Sequence, residues 1–303
     1  MSAEPTLELA IETHGLLRRY GKKRVLNGMD LHVPRGSVYG LLGKNGAGKS
    51  TTIRILMGLI RRHDGEVQVA GFDPARNDLA IKRRVGYVAE NPDFYGWMRV
   101  EEIVRLVATY HDDWDWSLSD RLLKQFSLPP RAKVKTLSKG MAAKLGLLMA
   151  LSFRPEMLIL DEPMTGLDPG ARREFIESIL RDYQEEGKTI FVSSHLVNEI
   201  AGLVDYVGVM KGGRLMLEMP AEDLFASVKA VRLTFEGEVP PDLACAGMLN
   251  KRVDGREAIV TIRDFKPDAT AAELRRFSPT DLTVSDLTLE DIFIALLPSD
   301  EEV

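Results

Sequence analysis

Cysteine is nearly absent from this 303-residue sequence, in which Cys245 is the single thiol. One thiol can form neither an intrachain disulfide nor a cysteine cluster around a metal ion, so disulfide-stabilised and cysteine-metal scaffolds are excluded. A chain of this length can instead bury a sizeable apolar core, and 45% of its residues are hydrophobic. The composition is that of an ordinary globular protein, and it suits a reducing compartment.

Long hydrophobic runs are also lacking. The most apolar run, Leu145 to Phe153, is bounded by Lys144 and Arg154, whereas a helix that spans a bilayer needs about 20 apolar residues. The first twelve residues contain neither a basic start nor an apolar segment, so we expect no secretory signal. If the protein works at a membrane, we expect another chain to supply the membrane-spanning part.

The sequence has no excess of positive charge and few histidines. A net charge of -5 gives no electrostatic case for bulk nucleic-acid binding, and no nucleic-acid partner is expected. Of the five histidines, His14, His32, His63 and His111 show no metal-ligand spacing along the chain. His195 differs from them because it directly follows a strand-like apolar run.

A phosphate-binding loop pattern, a glycine followed by four residues and then Gly-Lys-Ser, is the most informative feature of the sequence. Its residues are Gly43, Lys44, Asn45, Gly46, Ala47, Gly48, Lys49 and Ser50, followed by Thr51. Strand-like and helix-like runs flank the loop, so backbone N–H groups and a helix N-terminus would face a polyphosphate. Lys49 would reach the β- and γ-phosphates and Ser50 would bind Mg²⁺. The alternative is a glycine-rich turn without a ligand.

Apolar periodicity predicts strands that alternate with helices, hence a mostly parallel sheet covered on both faces. The period becomes helical over roughly fifty residues before Phe153, which predicts a helical insert. From about residue 228 the pattern indicates a small C-terminal α/β appendix. The predicted strands include 31–33, 38–42, 66–69, 83–87, 157–160, 189–192, 231–235 and 258–262, and amphipathic helices are predicted after Ser50 and after Pro163.

Two adjacent carboxylates end one of these strands. Asp161 is placed to hold the Mg²⁺ shell, and Glu162 is placed to polarise an attacking water. His195 could hydrogen-bond the γ-phosphate and hold that water together with Glu162. The alternative is that both carboxylates cap the next helix and that the histidine is structural.

Five motifs in this order resemble the nucleotide-binding subunit of an ATP-binding-cassette (ABC) transporter, of an exporter-like bacterial type with a variant signature motif. The resemblance spans residues 7 to 226, and its specificity lies in the order and spacing of the motifs. The motifs are Gly43 to Ser50, Leu137 to Met141, Leu158 to Pro163, Gly166 to Pro169, and His195.

The resemblance implies a P-loop NTPase core at 7–226, with an antiparallel β subdomain and a helical subdomain at about 98–154, and an accessory domain at 228–303. It implies ATP and Mg²⁺ as ligands and Lys49, Glu162 and His195 as catalytic residues. A second nucleotide-binding subunit and an integral-membrane permease are the implied partners. The chain would then be cytoplasmic and peripheral at the inner face of the cell membrane.

Further nucleotide contacts follow from the same resemblance. Tyr20 would stack on adenine, although an isolated tyrosine is as readily a packing residue. Asp168 would meet the opposite subunit, or cap the helix that follows it. Ser138, Lys139 and Gly140 would face the γ-phosphate bound by that subunit, because they open a helix.

Three positions depart from the common family pattern. Lys139 and Met141 replace the second glycine and the glutamine of Leu-Ser-Gly-Gly-Gln. Glu90 stands where the family has a glutamine that contacts Mg²⁺ and the lytic water. Glu90 is therefore a nucleotide and metal candidate whose extra negative charge is unusual, and a solvated loop residue is the alternative.

The resemblance predicts an ATP hydrolase that powers export through ATP-dependent dimerisation. A soluble ABC-type ATPase and a nucleotide-dependent regulator without useful turnover are the alternatives. Phe94, Tyr95 and Trp97 belong either to a groove for the permease or to the core. The residues alone determine neither the transported substrate, nor its direction, nor whether the dimer is homomeric, nor the role of the C-terminal appendix.

Overall fold

A computed structural model describes residues 8–165, 170, 172, 183, 186–195 and 197–297. The chain divides into two compact units. The first comprises Met1–Leu196 and Leu203–Glu218, and the second comprises Val197–Gly202 and Met219–Val303. The predicted amphipathic helix after Pro163 falls largely outside the described residues.

Strands and helices alternate along the described part of the first unit. They are β1 (Leu9–Tyr20), β2 (Lys23–Pro34), β3 (Val38–Gly43), α1 (Lys49–Leu56), β4 (Asp64–Val69), α2 (Asp78–Arg84), β5 (Val85–Val88), α3 (Val100–Ala108), α4 (Trp116–Gln125), α5 (Lys139–Leu151), β6 (Met157–Asp161), β7 (Thr189–Ser194), β8 (Tyr206–Lys211) and β9 (Arg214–Pro220).

The larger sheet of this unit has the strand order β5-β6-β7-β3-β8-β9. β3 pairs in parallel with β7 and β8, and β6 pairs in parallel with β5 and β7. Every residue of β3, β6 and β7 is buried, as expected for strands that are covered on both faces. Because parallel strands share a direction, the carboxyl ends of β3, β6 and β7 meet at one edge of the sheet.

A smaller antiparallel sheet with the order β2-β1-β4 packs on the same core. Its strands alternate buried and exposed residues, since one face is covered and the other is solvated. The buried side of β1 and β2 includes Ile11, Leu16, Leu31 and Val33. The antiparallel subdomain implied by the resemblance is confirmed.

The helical insert is confirmed by α3, α4 and α5. The predicted strand at 83–87 is wrong at its start, because α2 continues through Arg84. The last turn of α2 is basic, and cations are favourable near the negative end of a helix dipole. An ion pair of 2.7 Å between Lys82 Nζ and Asp78 Oδ2 adds support within the helix.

The second unit contains an antiparallel sheet with its own core. In the described part its elements are α6 (Val197–Ile200), α7 (Ala221–Ser227), β10 (Lys229–Thr234), β11 (Met248–Asp254), β12 (Glu257–Ile262), α8 (Pro267–Arg275), β13 (Asp281–Asp286) and α9 (Leu289–Leu296). The strand order is β11-β12-β10-β13. Val231, Leu233, Val260, Ile262 and Leu274 are fully buried in its core.

No helix among the described residues has the length and apolar content that crossing a bilayer would require.

Candidate functional site

The phosphate-loop pattern forms the connection between β3 and α1. Gly46 and Gly48 have φ angles of 82° and 115°, in the left-handed region that favours glycine. A Cβ atom on Gly48 would be strained at this φ angle, and it would lie 3.1 Å from the Val25 carbonyl oxygen and close to the ends of the Met210 and Leu26 side chains. The loop is followed directly by the N-terminus of α1, which begins at Lys49. Such a terminus attracts phosphate groups.

Lys49 is buried in this site, with 5% of its side chain exposed. Its Nζ donates to the Gly43 carbonyl oxygen at 2.7 Å and lies 3.1 Å from Glu162 Oε1. The ammonium group is thus held by the loop that precedes it and by the carboxylate at the end of β6. Both groups of this pair are shielded from water, which strengthens their interaction.

Glu162 follows β6 with a φ angle of 48°, which is uncommon for a residue other than glycine. Its Oε2 lies 2.6 Å from His195 Nδ1 and accepts the His195 backbone N–H at 3.2 Å. A carboxylate can only accept at neutral pH, so Nδ1 carries the proton and Nε2 is left to act on a substrate. Glu162 is therefore held between a lysine and a histidine.

Asp161 is the last residue of β6 and is buried beside two serine hydroxyls. Ser50 Oγ donates to Asp161 Oδ1 at 3.0 Å, and Ser193 Oγ donates to the same oxygen at 2.8 Å. Burial is the main reason that the pKa of Asp161 is raised, while the two hydrogen bonds oppose the shift. Glu162 and Glu90 add to the rise through their charges. A cation would offset this accumulation of negative charge.

A cavity of about 460 Å³ lies at the end of the sheet where these groups meet. Nine of the predicted site residues line it, Glu90 included. The lining residues are Val25, Asn45, Gly46, Gly48, Lys49, Ser50, Thr51, Glu90, Glu162, Thr165 and His195. The loop residues Gly43, Lys44 and Ala47 belong to the same turn but do not line the cavity. Asp168 lies outside the described residues.

Tyr20 is not brought to this cavity. It ends β1, the residue is 46% exposed, and the guanidinium carbon of Arg18 lies 4.7 Å from the centre of its ring. Val25, two residues into β2, lines the cavity instead. The predicted stacking of Tyr20 on a base stays a prediction.

The signature residues also lie away from the cavity of their own chain. Ser138 is the N-cap of α5, and its Oγ accepts the Met141 N–H at 3.2 Å. Ser138 and Lys139 are exposed. The predicted helix start is confirmed.

Three residues of the site were missed by sequence reasoning: Ser193, Val25 and Thr165. Ser193 Oγ bonds Asp161 and accepts the Glu162 N–H at 3.1 Å. It lies opposite Asp161 in the parallel register of β6 and β7. The buried Thr165 hydroxyl has no hydrogen-bond partner in the described part of the chain, which suits a ligand-binding position. The position of Ser193 at the end of a predicted strand was the sequence feature that could have indicated its role in the site.

Replacing Ser193 by alanine is expected to lower the free energy of unfolding by about 1.5–3 kcal/mol, the usual contribution of a hydrogen bond to a charged group. Chemical denaturation measures this change. Substitution of Ser227, whose hydroxyl bonds a carbonyl in the second unit, is the matched control and should cost less. An unchanged midpoint for Ser193→Ala would show that the bond to Asp161 contributes little.

Comparisons with known proteins agree with this geometry. The family model described as "ABC transporter" matches residues 26–165. The bacitracin transport ATP-binding protein BcrA of Enterococcus faecalis is 33% identical over 302 residues, covering 96% of this chain and 97% of that protein. The daunorubicin/doxorubicin resistance ATP-binding protein DrrA of Streptomyces peucetius is 32% identical, covering 99% and 96%. A solved ATP-binding subunit of an ABC transporter superposes with a TM-score of 0.66 at 29% identity, covering 72% and 92%.

Proposed function

The chain belongs to the family of ATP-binding subunits of ABC transporters, and from this premise we propose that it drives export through a separate membrane permease. It is an ATP hydrolase with a P-loop NTPase core. Two relatives that it matches over nearly their whole length are named for bacitracin transport and for daunorubicin/doxorubicin resistance. We infer that this subunit serves an exporter of compounds comparable to those in these names.

The observation that carries the proposal is the convergence of Lys49, Glu162 and His195 on one cavity. Lys49 would bind the β- and γ-phosphates, and His195 would hydrogen-bond the γ-phosphate through Nε2. Glu162 would accept a proton from the attacking water as that water approaches the phosphorus in line. Lys49 Nζ lies 3.1 Å from Glu162 Oε1, so a bound γ-phosphate would compete with this carboxylate for the ammonium group and leave the carboxylate free to accept from water.

The residues also fit Mg²⁺, which prefers oxygen ligands. Ser50 lines the cavity, and its Oγ lies 3.0 Å from Oδ1 of Asp161, a buried carboxylate whose raised pKa a cation would oppose. We infer that Ser50 binds the ion, that Asp161 orients its shell, and that Glu90 contributes a carboxylate from the cavity wall. When bound there, Mg²⁺ would supply positive charge to the phosphate oxygens during transfer.

The exposed start of α5 supports an ATP-dependent dimer. Ser138, Lys139 and Gly140 lie outside the cavity of their own chain, and a helix N-terminus attracts a γ-phosphate. We infer that a second nucleotide-binding subunit presents these residues to the ATP bound at Lys49, and that Asp168 faces the same partner. Lys139 would then be favourable, although a lysine opposes the dipole at a helix start in isolation.

Lys139→Ala is expected to weaken ATP-dependent dimerisation at least about fivefold, corresponding to about 1 kcal/mol for each lost contact with triphosphate. Sedimentation in a Glu162→Gln background, where ATP would persist, measures the change. Lys124→Ala removes an exposed lysine from another helix of the same unit and should leave dimerisation unchanged. Equal dimerisation of Lys139→Ala and Lys124→Ala would show that Lys139 does not contribute to the interface.

An apolar groove supports the membrane partner. A cavity of about 380 Å³ is lined mainly by hydrophobic side chains. They include Leu59, Val88, Phe94, Val107, Met149 and Phe153. Phe94 lines it, as one reading of the sequence expected, whereas Tyr95 and Trp97 are 59% and 70% exposed. We infer that a short amphipathic segment of the permease docks here, which places the subunit at the inner face of the membrane.

Affinity purification of the chain from membranes tests the proposed function. We expect a protein with several spanning helices to co-purify, and Leu59→Asp to reduce its recovery. Ile294→Asp alters a comparably exposed apolar side chain in the second unit and serves as the control. ATP hydrolysis without any membrane partner would instead favour a soluble ABC-type ATPase.

The domain organisation is part of the proposal. We infer an ATPase domain at 7–226, with a helical subdomain at about 98–154, and an accessory domain at 228–303. The four-stranded sheet with its own buried core supports an accessory domain. Packing or dimer support is the role we assign to it.

A further inference from the structure

Two histidines and a glutamate meet on the solvated face of the antiparallel sheet. Glu12 and His14 alternate with the buried Thr13 on β1, so their side chains share one face. His32 lies directly opposite Glu12 in the register of β1 and β2. One ligand atom from each of the three residues lies within 4.8 Å of the other two. None of the three lines the nucleotide cavity.

The distances suit coordination of one ion. His14 Nε2 lies 2.9 Å from Glu12 Oε1. Two ligand atoms about 2.0–2.1 Å from one zinc ion lie about 3.3 Å apart at the tetrahedral angle. His14 and Glu12 are thus nearly in position to bind one ion. A side-chain movement of about 1–1.5 Å would bring His32 to the distance expected at the tetrahedral angle. His14 is exposed and the other two are partly exposed, which leaves room for such movement.

Hydrogen bonds already orient the third ligand. His32 Nδ1 lies 2.8 Å from Glu218 Oε2, and the His32 backbone N–H donates to Glu218 Oε1 at 2.8 Å. A carboxylate that accepts from Nδ1–H leaves the Nε2 lone pair available to a metal, which is how proteins commonly orient ligating histidines. His32 is therefore held in the tautomer that a metal requires.

Glu218 is fixed in turn from the protein interior. The hydroxyl of Tyr39 donates to Glu218 Oε1 at 2.7 Å. Burial is the main reason that the pKa of Tyr39 is raised well above its usual value, so this hydroxyl keeps its proton. A buried tyrosine, a carboxylate and a histidine thus form a chain of hydrogen bonds that ends at the cluster. His32 is therefore held in place by groups that extend into the protein interior.

The surrounding charge also favours a cation. Glu66 on β4 is opposite His14 in register and is exposed. Asp30 Oδ1 accepts the backbone N–H of Gly15, next to His14. These carboxylates create negative potential around two imidazoles, and the formal charge of the whole chain is negative as well.

We propose that Glu12, His14 and His32 form a binding site for one divalent transition-metal ion of the zinc class, with Glu218 as the residue that orients His32. Imidazole ligands favour zinc, copper and nickel, whereas Mg²⁺ and Ca²⁺ prefer oxygen alone. Two histidines and one glutamate form a known type of zinc ligand set. The ion would join β1 to β2, and it would be separate from the Mg²⁺ proposed at Ser50 and Asp161.

Zinc binding by the full-length chain tests this site. Metal-free protein is titrated with Zn²⁺ against a chromophoric chelator, and the wild type is compared with the double variant His14→Gln/His32→Gln. We expect the wild type to bind one more zinc ion per chain than the double variant. Any zinc held by the residues of the nucleotide cavity is common to both proteins and cancels in the difference.

Two further variants separate orientation from simple loss of a ligand. Glu218→Gln is expected to retain the site with about 10–100-fold weaker affinity, the usual effect of changing a residue that orients a metal ligand. His63→Gln removes another exposed histidine of the first unit, one that accepts a hydrogen bond from the Arg19 N–H, and it should bind zinc like the wild type.

Thermal unfolding in chelator establishes that the variants fold. Saturating zinc should then raise the unfolding temperature of the wild type more than that of the double variant. Equal stoichiometry and affinity in the wild type and the double variant would overturn the proposal, even if zinc bound elsewhere. The result is independent of ATP hydrolysis, so failure of the metal site leaves the transport function untouched.

Discussion

Glu162→Gln is expected to slow ATP hydrolysis by about 10²–10⁴-fold, the usual contribution of a general base, while ATP binding persists. Glutamine keeps the shape of the side chain and removes the group that would accept a proton from water. The loss should appear in kcat rather than in nucleotide affinity, because the phosphates would still meet Lys49 and the loop N–H groups. Steady-state phosphate release and equilibrium binding of a fluorescent ATP analogue measure the two quantities separately.

Glu236→Gln is the matched control, since Glu236 is exposed in the second unit and should not affect turnover. Near-normal hydrolysis by Glu162→Gln would reject this residue as the base. In that case His195, which lies 2.6 Å from Glu162, would be the next candidate. Phosphate release by the wild-type chain also tests the alternative of a nucleotide-dependent regulator. Such a regulator would bind ATP and release little phosphate.

Lys49→Ala is expected to weaken ATP binding at least about 100-fold. Hydrogen bonds to charged groups contribute about 1.5–3 kcal/mol each, and Lys49 would donate to both the β- and γ-phosphates. The substitution also leaves Glu162 without its buried ammonium partner at 3.1 Å, so an unpaired carboxylate would face the incoming phosphates. Equilibrium dialysis with labelled ATP is the direct measurement.

Lys124→Ala controls for the loss of one positive charge, because Lys124 is exposed on α4 and distant in sequence from the loop. Lys49→Arg keeps the charge but changes the geometry of the donors, so it should bind ATP better than Lys49→Ala. Wild-type affinity in Lys49→Ala would mean that the loop amides alone hold the nucleotide, and the assigned role of the lysine would be wrong.

Much of the site could be predicted because its chemistry is local in the chain. Lys49 and Ser50 follow the loop glycines directly, and Asp161 and Glu162 are consecutive at the end of an apolar strand. The alternation of strands and helices implied a parallel sheet, whose carboxyl ends share an edge. The start of the helix at Ser138 followed from the resemblance of the signature motif, and the structure has this serine, a favoured N-cap residue, in that position.

Other residues depended on which strands are neighbours, and strand order is not written in the hydrophobic pattern. Ser193 reaches Asp161 because β7 pairs with β6, although the two residues are 32 positions apart. Val25 lines the cavity where Tyr20 does not, because the turn between β1 and β2 determines which side chains lie beside the loop.

The sequence by itself determined the phosphate loop, the paired carboxylates and the alternating architecture, because each depends on residues that are close along the chain. Only the tertiary structure decided that Lys49 contacts Glu162, since that contact requires β3 and β6 to end at one edge of the sheet. It also brought His32 opposite Glu12 through the antiparallel register. Spacing along the chain gave no metal-ligand pattern for these histidines, because pairing between strands places distant residues side by side.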